Sequence, residues 1–454
     1  MRTQQIHGFT EGELQVFDLI CFQEEERSMI MNPISGTSLC ISNDCLLELT
    51  SRNLSNDLAF VLVQRGLATY GDSRPISFHH DQIKPTFFLI DLTKSCNLRC
   101  VYCFRELTNV APKMSREQME IICNALTEYC HSHRVDHLCI QPWGGEPLLE
   151  LSLITMIRQK FRSASLFPQI MIETNATLIT PEVAHILKES EVEVGISVDG
   201  NTLVHNEQRP FADGRPSLLC VENGISNLRS AGYKNIFSIT VVTKNTLNNL
   251  DAIISYFSQE LCLSSIKLNL MRKTERNRNL ALDLEEIEVY VDRLLACMHK
   301  CYEQHLCIVE QNISQRLSNL LFRPCNNICN AHGCHGGYRM LSIDACGGVY
   351  PCELSDDPSY QLGQVGNGDF IDMIKNAISN GHEYFSSREI EGCKGCPWFF
   401  YCQGGCRAAV KYDCGNPRRI DITECMFNRA LYPRLVQIVL CDPTFANYLQ
   451  NGEV

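Results

Sequence analysis

The feature that most constrains the fold is a strand–helix pattern that repeats six times between Pro85 and about Met271. Ser115 begins one helix as its N-cap, with Gln118 three residues later, and Thr180 with Pro181 begins another. Repeated strand–helix units predict a parallel sheet, either a partial barrel or an open doubly wound sheet. The predicted strands are Thr86–Leu92, His137–Gln141, Gln169–Glu173, Glu193–Val198, Asn235–Val242 and Ser265–Leu270, and a long helix, Leu282–His305, closes the region.

Length and charge narrow the class of protein. The chain has 454 residues, enough for two or three domains, and a formal net charge of -12, which argues against a general nucleic-acid partner. The first residues lack a basic segment followed by an apolar core, and no apolar run is long enough to span a membrane. We therefore expect a cytoplasmic protein without a membrane partner. Because disulfides are reduced in that compartment, the 26 cysteines favour metal or cluster ligation.

Cys96, Cys100 and Cys103 form a CxxxCxxC motif directly after the first strand of the repeating region. Three closely spaced thiolates without a fourth can hold three irons of a 4Fe-4S cluster and leave the fourth iron open to another ligand. Zinc sites usually pair two CxxC-like halves, and disulfide frameworks do not place three cysteines within eight positions. The motif therefore predicts an iron-sulfur cluster with one open iron.

This motif resembles that of radical S-adenosylmethionine (radical SAM) enzymes, and further motifs extend the likeness. A GGEP sequence follows the second strand, ETN ends the third, and SVDG ends the fourth, so all lie at the strand ends where sites in parallel α/β proteins assemble. Ala176 stands where relatives have the glycine of TNG. The resemblance implies a partial (β/α)6 TIM-type barrel, in which Glu146 receives the SAM amino group and Arg209 pairs with its carboxylate. The implied cofactor-binding residues are Tyr102, Gly144, Gly145, Glu146, Asn175, Ser197, Asp199 and Arg209.

A second cysteine pattern fills the region from Pro324 to Cys425, where the strand–helix repeat stops. Its spacing resembles the SPASM domain, a C-terminal extension of radical SAM enzymes that modify peptides. That resemblance implies two auxiliary 4Fe-4S clusters with eight thiolates, of which Cys329 supplies the eighth, with Cys325 as the alternative. The implied ligand sets are Cys329, Cys334, Cys352 and Cys406 for the first cluster, and Cys393, Cys396, Cys402 and Cys425 for the second. Cys346 and Cys414 are interpreted as packing residues, with a role as a ligand or as a thiol that links to the substrate as the alternative.

Two further features point to a peptide substrate. Residues 1–84 combine short strands with two helical stretches, a winged-helix-like pattern that resembles precursor-peptide recognition elements. Glu353 directly follows Cys352, where sulfatase-maturing relatives have an acid that takes a proton from the substrate; a solvated acidic turn is the alternative. The predicted division is residues 1–84 for recognition, 85–310 for the radical SAM core, 311–430 for the cluster domain and 431–454 for a C-terminal helix.

The resulting hypothesis is a peptide maturase with SAM and three 4Fe-4S clusters. It abstracts hydrogen from a ribosomally made precursor peptide with a leader sequence and installs a cross-link, most plausibly a thioether, or else a carbon–carbon or carbon–oxygen bond. An electron donor such as flavodoxin or ferredoxin is the expected second partner. The alternatives are an anaerobic sulfatase-maturing enzyme that forms formylglycine, an iron-sulfur electron-transfer protein, and a zinc-binding interaction protein.

Overall fold

The computed structural model of the chain describes residues 1–71, 83–105, 113–322, 334–353, 357–386, 390, 393 and 395–453. The predicted linker from Tyr70 to Lys84 and the two candidate ligands Cys325 and Cys329 fall largely or wholly outside these residues. The described chain forms an N-terminal unit, a central barrel and a C-terminal region rich in short elements.

The N-terminal unit contains two antiparallel sheets and two helices. Its elements are β1 (Arg2–Ile6), β2 (Phe9–Glu11), β3 (Leu14–Val16), β4 (Leu19–Gln23), β5 (Arg27–Met31), β6 (Ser38–Ser42), α1 (Asn43–Ser51), α2 (Asn56–Gln64) and β7 (Ala68–Tyr70). One sheet has the order β1-β4-β5-β6 and the other the order β2-β3-β7. Ser42 and Ser55 cap the two helices through their hydroxyl groups, which accept hydrogen bonds from the backbone three residues later. The order of strands before helices agrees with the sequence pattern, although the unit holds more strand than predicted.

The central region is the partial barrel. Its elements are β8 (Phe87–Thr93), α3 (Arg116–His133), β9 (Cys139–Gly144), α4 (Leu151–Ser163), β10 (Gln169–Thr174), α5 (Pro181–Glu189), β11 (Val192–Ser197), α6 (Thr202–Gln208), α7 (Leu218–Ser230), β12 (Phe237–Val242), α8 (Lys244–Asn248), α9 (Leu250–Ser255), β13 (Ser265–Leu270), α10 (Leu284–Glu303), β14 (Val309–Glu310) and α11 (Gln311–Phe322). From β8 to β14 the strands are parallel neighbours in chain order. A doubly wound sheet reverses its strand order at a switch point, so this order selects the partial barrel.

The six predicted strands of the barrel form, with the second shifted to Cys139–Gly144, and the predicted caps form as well. The long helix was predicted to close the region, but β14 and α11 follow it, and β14 adds a seventh parallel strand. Ser115 Oγ accepts a hydrogen bond from the Gln118 backbone at 3.0 Å, and α3 then buries Met119, Ile122, Leu126 and Tyr129. Burial of each such side chain contributes about 1.5–3 kcal/mol. The helical spacing of these residues therefore places α3 against the outside of the sheet.

The C-terminal region joins the same sheet instead of forming a separate one. Its elements are β15 (Met340–Ile343), β16 (Gly348–Tyr350), β17 (Gly363–Gln364), α12 (Phe370–Ser379), α13 (Glu383–Ser386), α14 (Phe399–Cys402), α15 (Arg407–Cys414), α16 (Ile422–Cys441) and α17 (Pro443–Asn451). β15 pairs in parallel with β8, and β16 and β17 follow antiparallel. The prediction of a single closing helix was wrong: Asp442 separates α16 from α17 and accepts a hydrogen bond from the Phe445 backbone, which begins the second helix.

Aromatic stacking joins the N-terminal unit to the C-terminal region. The Trp398 ring stacks on Phe22 of β4 at 5.2 Å and on Tyr432 of α16 at 5.0 Å between ring centroids. Tyr401 donates a hydrogen bond to the carbonyl of Gly36 at 2.7 Å. These contacts place the four-stranded sheet directly against the segment that carries Cys396 and Cys402. Among the described residues, no helix is both long and apolar enough to cross a membrane.

Candidate functional site

The loop after β8 brings the first three predicted thiols together. Cys96, Cys100 and Cys103 lie close enough that the charge of one affects the pKa of another. Burial raises the pKa of Cys96 to about 11 and that of Cys100 to about 12. A bound cation reverses this preference, because coordinated thiols are deprotonated. In the described part of the chain, no three His, Cys, Asp or Glu side chains are arranged to bind a single metal ion. An iron-sulfur cluster does not need that arrangement, because its ligands bind several different irons.

The GGEP turn supports the start of this loop. The backbone amide of Gly145 donates to the carbonyl of Thr93 at 2.7 Å, and that of Glu146 donates to the carbonyl of Ser95 at 2.9 Å. Gly144 has a φ of +142°, and a Cβ there would lie 2.2 Å from the Thr93 oxygen. A Cβ on Gly145 would lie 2.1 Å from the Ser95 oxygen. Both glycines are therefore required for the turn to approach the cysteine loop this closely.

The Glu146 carboxylate links the ends of β9 and β10. Its Oε1 accepts from the Leu148 backbone at 3.0 Å and from the Thr174 hydroxyl at 2.6 Å, and its Oε2 accepts from the Asn175 backbone at 2.8 Å. Burial raises the pKa of this carboxyl group, and the three hydrogen bonds oppose the shift. A carboxylate offers about four acceptor positions, and these three donors leave Oε2 with the capacity for one further hydrogen bond.

Asn175 joins β10 to the cysteine loop. Its amide nitrogen donates to Asn97 Oδ1 at 2.8 Å and lies 4.0 Å from the Cys96 sulfur. The next residue, Ala176, has a φ of +60°, in the region that favours glycine. The backbone at this position thus keeps the conformation that a glycine adopts easily, although the residue is alanine.

Two further predicted residues, Tyr102 and Arg209, contact the buried carboxylate of Asp199, which is 0% exposed. Its Oδ2 accepts from the Tyr102 hydroxyl at 2.5 Å and from Gln208 Nε2 at 3.1 Å, and pairs with Arg209 Nε at 3.0 Å. Arg209 Nη1 lies 3.9 Å from the Cys100 sulfur. Burial opposes the charge of Arg209, but the neighbouring Asp199 raises the pKa of this guanidinium above its usual range. The cation therefore persists beside the cysteine loop.

Ser197, the last predicted member of this group, ends β11 and is half-buried. Inward-facing side chains lower in the barrel were not predicted as site residues. Glu173 of β10 and Lys267 of β13 interact electrostatically although two strands separate them, which places both in the barrel interior. Burial raises the pKa of Glu173, and Lys267 and the Gln141 hydrogen bond oppose that shift. The alternation of inward and outward residues along each strand is the signal that finds them.

The C-terminal thiols fall into two groups. Cys406 interacts electrostatically with Cys334, and Cys352 lies buried two residues after the end of β16. Burial raises the pKa of Cys406 to about 11, the nearby Arg272 opposes that shift, and Glu353 reinforces it. Cys329, the predicted fourth member, lies outside the described residues. The structure thus brings Cys334 and Cys406 together and places Glu353 beside them.

The second group contains the other four predicted ligands. Cys393 and Cys402 each interact electrostatically with Cys396 and Cys425. Burial raises the pKa of Cys402 to about 12. Arg407, which is buried, donates from Nη1 to the carbonyl of Pro417 at 2.6 Å and so fixes the loop around these thiols.

Glu353, the predicted base, is paired with Arg272, which follows β13. The Arg272 guanidinium lies over the rings of Phe104 and Tyr412, at 4.4 Å and 5.7 Å from their centroids. Sequence reasoning did not identify Arg272. Its place just beyond a strand end, like the other motifs, was the available signal.

These residues fit an iron-sulfur cluster and SAM. The donor set of the first loop is three thiols in mutual reach, Glu146 retains one acceptor position, and the two glycines leave the backbone of the turn without side chains. The negative charge of the thiolates is partly balanced by Arg209. When bound, the cluster and SAM together supply a 5'-deoxyadenosyl radical by one-electron reduction.

Known proteins resemble this chain in sequence. The profile of the Radical SAM superfamily matches residues 90–257. A cysteine-type anaerobic sulfatase-maturating enzyme of Clostridium novyi is 25% identical over 326 residues, which cover 69% of this chain and 86% of that protein. An uncharacterized protein of Methanocaldococcus jannaschii, MJ0907, is 30% identical over 215 residues, which cover 45% of this chain and 70% of that protein.

Two solved structures share the fold. Native anSMEcpe with bound AdoMet and the Cp18Cys peptide superposes with a TM-score of 0.68 at 21% identity, and covers 79% of this chain and 99% of its own. Streptococcus suis SuiB bound to precursor peptide SuiA superposes with a TM-score of 0.55 at 14% identity, and covers 92% of this chain and 100% of its own. With the profile match, the relatives and the thiol-bearing loop of a partial barrel, the chain belongs to the radical SAM superfamily of enzymes.

Proposed function

We propose that this enzyme is a peptide maturase that uses two auxiliary iron-sulfur clusters and installs a cross-link in a ribosomally made precursor peptide. The observation that carries the proposal is the position of the N-terminal sheet. Phe22 of that sheet stacks on Trp398, which lies between Cys396 and Cys402. A recognition unit fixed to the cluster region at this point is well placed to deliver a peptide to the barrel.

The auxiliary clusters are assigned by thiol grouping. Cys393, Cys396, Cys402 and Cys425 would hold one cluster, and the interactions among these four thiols support it. Cys334, Cys352 and Cys406 would hold the other together with Cys329 or Cys325, which lie outside the described residues. Two full 4Fe-4S clusters require eight thiolates, and this assignment supplies them.

The chain's residues have separate tasks in the proposed reaction. SAM would be held and oriented at the open iron by Tyr102, the Gly144–Gly145 turn, Glu146, Asn175, Ser197, Asp199 and Arg209. For a thioether, a peptide carbon loses one hydrogen atom to the radical and a cysteine thiol loses one proton. Glu353 would accept that proton, and the auxiliary cluster proposed beside it would supply the acceptor for the one remaining electron. A flavodoxin or ferredoxin would supply the electron that starts each turnover.

The N-terminal unit would bind the leader of the precursor. Its strand β1 pairs with β4 on one side, and within the described residues it has no partner on the other side. Residues 2–5 are exposed, so the free edge is accessible to an added strand. SuiB, which was solved with a precursor peptide, spans 92% of this chain, whereas anSMEcpe spans 79%. The difference favours a precursor peptide over a sulfatase as the substrate.

The second candidate function is the oxidation of a cysteine or serine to formylglycine. The similarity to a cysteine-type anaerobic sulfatase-maturating enzyme favours it, as does an acid directly after Cys352. The two functions need the same radical chemistry, so the substrate distinguishes them. A sulfatase-derived peptide and a precursor peptide with its leader are therefore the two substrates to compare.

Iron content tests the cluster assignment. Anaerobically reconstituted wild-type protein is expected to hold about twelve irons per chain, and the triple variant Cys96→Ala, Cys100→Ala, Cys103→Ala about eight. Cys406→Ala is expected to lose up to four irons. Cys414→Ala is the matched control because Cys414 ends the helix that Cys406 caps, and its sulfur faces the Asn416 carbonyl.

Activity then tests the reaction. The wild-type protein is expected to form 5'-deoxyadenosine with a precursor peptide and to yield a product two mass units lighter for a thioether. Zinc in place of iron, or iron that is unaffected by the triple variant, would contradict the radical mechanism. A formylglycine product from the sulfatase-derived peptide, with no change in the precursor peptide, would select the second function.

A further inference from the structure

Arg272 lies at the point where three cysteine-bearing segments meet. Phe104 follows Cys103, Tyr412 belongs to the helix that begins after Cys406, and Glu353 follows Cys352. The Arg272 guanidinium contacts all three residues: it lies over both rings and donates a hydrogen bond to the Glu353 carboxylate. The Phe104 and Tyr412 rings are themselves 5.4 Å apart between centroids. One cation therefore joins the SAM-cluster loop to the first auxiliary thiol group.

The surroundings of Arg272 keep its guanidinium protonated and only weakly screened by solvent. The side chain is only 20% exposed, so solvent screens it weakly. Burial disfavours the cation, but the neighbouring Glu353 raises the pKa of Arg272 above its usual range. Arg272 also lies close enough to Cys406 for the two charges to interact. A persistent positive charge thus lies beside a thiol that the proposed function assigns to a cluster.

We propose that Arg272 raises the reduction potential of the auxiliary cluster held by Cys352 and Cys406. The inference rests on the proposed function, which supplies that cluster. Reduction adds one negative charge to a cluster, and a nearby buried cation stabilises the reduced form relative to the oxidised form. The rings of Phe104 and Tyr412 hold the guanidinium in place, and Glu353 limits the effect because its charge is opposite. Arg272 is thus a positioning and tuning residue that makes this cluster a better electron acceptor.

The test is a redox titration of the auxiliary clusters, followed by electron paramagnetic resonance. The full chain is reconstituted with the Cys96→Ala, Cys100→Ala, Cys103→Ala background so that the SAM-binding cluster does not contribute. Arg272→Gln removes the charge and keeps a group able to donate to Glu353, whereas Arg272→Lys keeps the charge. Arg278→Gln is the matched control: Arg278 is on the same loop and pairs with Asp413 at 2.9 Å, but its side chain is 56% exposed.

Arg272→Gln is expected to lower the reduction potential of one auxiliary cluster, seen as a shift of its paramagnetic resonance signal in the titration. The expected change is about tenfold in the equilibrium constant for reduction, which is about 59 mV for one electron. Arg272→Lys and Arg278→Gln are expected to stay near the wild-type value. Equal potentials in Arg272→Gln and wild type, an equal shift in Arg278→Gln, or loss of the auxiliary iron in Arg272→Gln but not Arg272→Lys would each overturn the proposal. If Cys406→Ala instead keeps the iron content of the wild type, the proposed function is overturned, so the two failures are distinguishable.

Discussion

The carboxylate of Asp199 has the most hydrogen-bond and ion-pair partners to satisfy in the proposed SAM site, and Asp199→Asn tests how much the structure depends on it. The Oδ2 atom faces the Tyr102 hydroxyl, Gln208 Nε2 and Arg209 Nε, and Oδ1 accepts from the Val241 backbone at 3.1 Å. An asparagine amide has one acceptor and one donor group. If its nitrogen replaces Oδ2 it faces three donors, and if it replaces Oδ1 it faces the Val241 amide. Neither orientation satisfies the surrounding groups.

The expected cost follows from the charge that remains. Arg209 is 7% exposed and pairs with Asp199, so the variant leaves a buried guanidinium without its counter-charge. Breaking a buried ion pair by removing one partner costs about 3–5 kcal/mol. For a unit of roughly 150–250 residues, each kcal/mol lowers the melting temperature by about 2–4 °C. We therefore expect the barrel of Asp199→Asn to melt about 6–20 °C below the wild type.

The assay is thermal unfolding of the metal-free protein by near-ultraviolet circular dichroism. Asp213→Asn is the matched control, because Asp213 pairs with Arg215 on the surface with both side chains more than half exposed, and we expect little change. Adding Arg209→Gln to Asp199→Asn removes the unpaired charge and is expected to recover part of the loss. A melting temperature of Asp199→Asn within 1 °C of the wild type, or a double variant that loses the full sum of both changes, would refute the reasoning.

Three further variants test other parts of the structure. Gly36→Ala places a Cβ 2.0 Å from the Phe400 ring and is expected to destabilise the contact between the N-terminal sheet and the C-terminal region by about 1–3 kcal/mol. Gly12→Ala is the control, because Gly12 has a similar φ but open space around it. Unfolding in denaturant measures both variants, and equal losses of stability would contradict the prediction. Burial lowers the pKa of His205 from 6.5 to about 4, so the unfolded chain binds a proton at this residue that the folded chain does not. The contribution of His205 to stability is therefore complete above pH 6.5 and falls toward pH 4 by about 1.4 kcal/mol per pH unit. His205→Gln is expected to reduce the slope of stability against pH by that amount in unfolding curves across this range, and an unchanged slope would contradict the reasoning. Glu353→Gln is expected to keep forming 5'-deoxyadenosine with peptide while the modified peptide falls about 10²–10⁴-fold by mass spectrometry, and unchanged product would exclude it as the base.

The sequence predicted the barrel well because helix caps and strand patterns depend on residues that are close together in the chain. Thr180 and Pro181 mark a helix start from sequence, and the Thr180 hydroxyl accepts from the Val183 backbone at 3.2 Å as expected. The motif residues were found through their resemblance to radical SAM enzymes, and their place at the ends of parallel strands supported that interpretation. The spacing of Cys96, Cys100 and Cys103 within one short loop made their proximity predictable without knowledge of the tertiary fold.

The parts that sequence reasoning missed depend on long-range pairing. β1 has the sequence RTQQI, with little apolar content, and forms because β4 supplies its hydrogen-bond partners. β15 pairs with β8 although about 250 residues separate them, and its four residues give no periodic signal. Arg272 contacts Glu353 and Tyr412 only after the barrel and the C-terminal region have packed together. No local pattern contains these partners.

The two buried carboxylates of the site explain how it keeps its shape before a cofactor binds. Glu146 joins β9 to β10 through three hydrogen bonds, and Asp199 joins the cysteine loop at Tyr102 to β12 at Val241. Each carboxylate thus satisfies protein donors first, and a ligand can use only the acceptor capacity that remains. On Glu146 the three hydrogen bonds leave one acceptor position, on Oε2, which is where the proposed ligand amine would bind. A site whose strand ends are already tied together loses little conformational entropy when the cofactor arrives, so the same contacts that stabilise the barrel also preorganise it for binding.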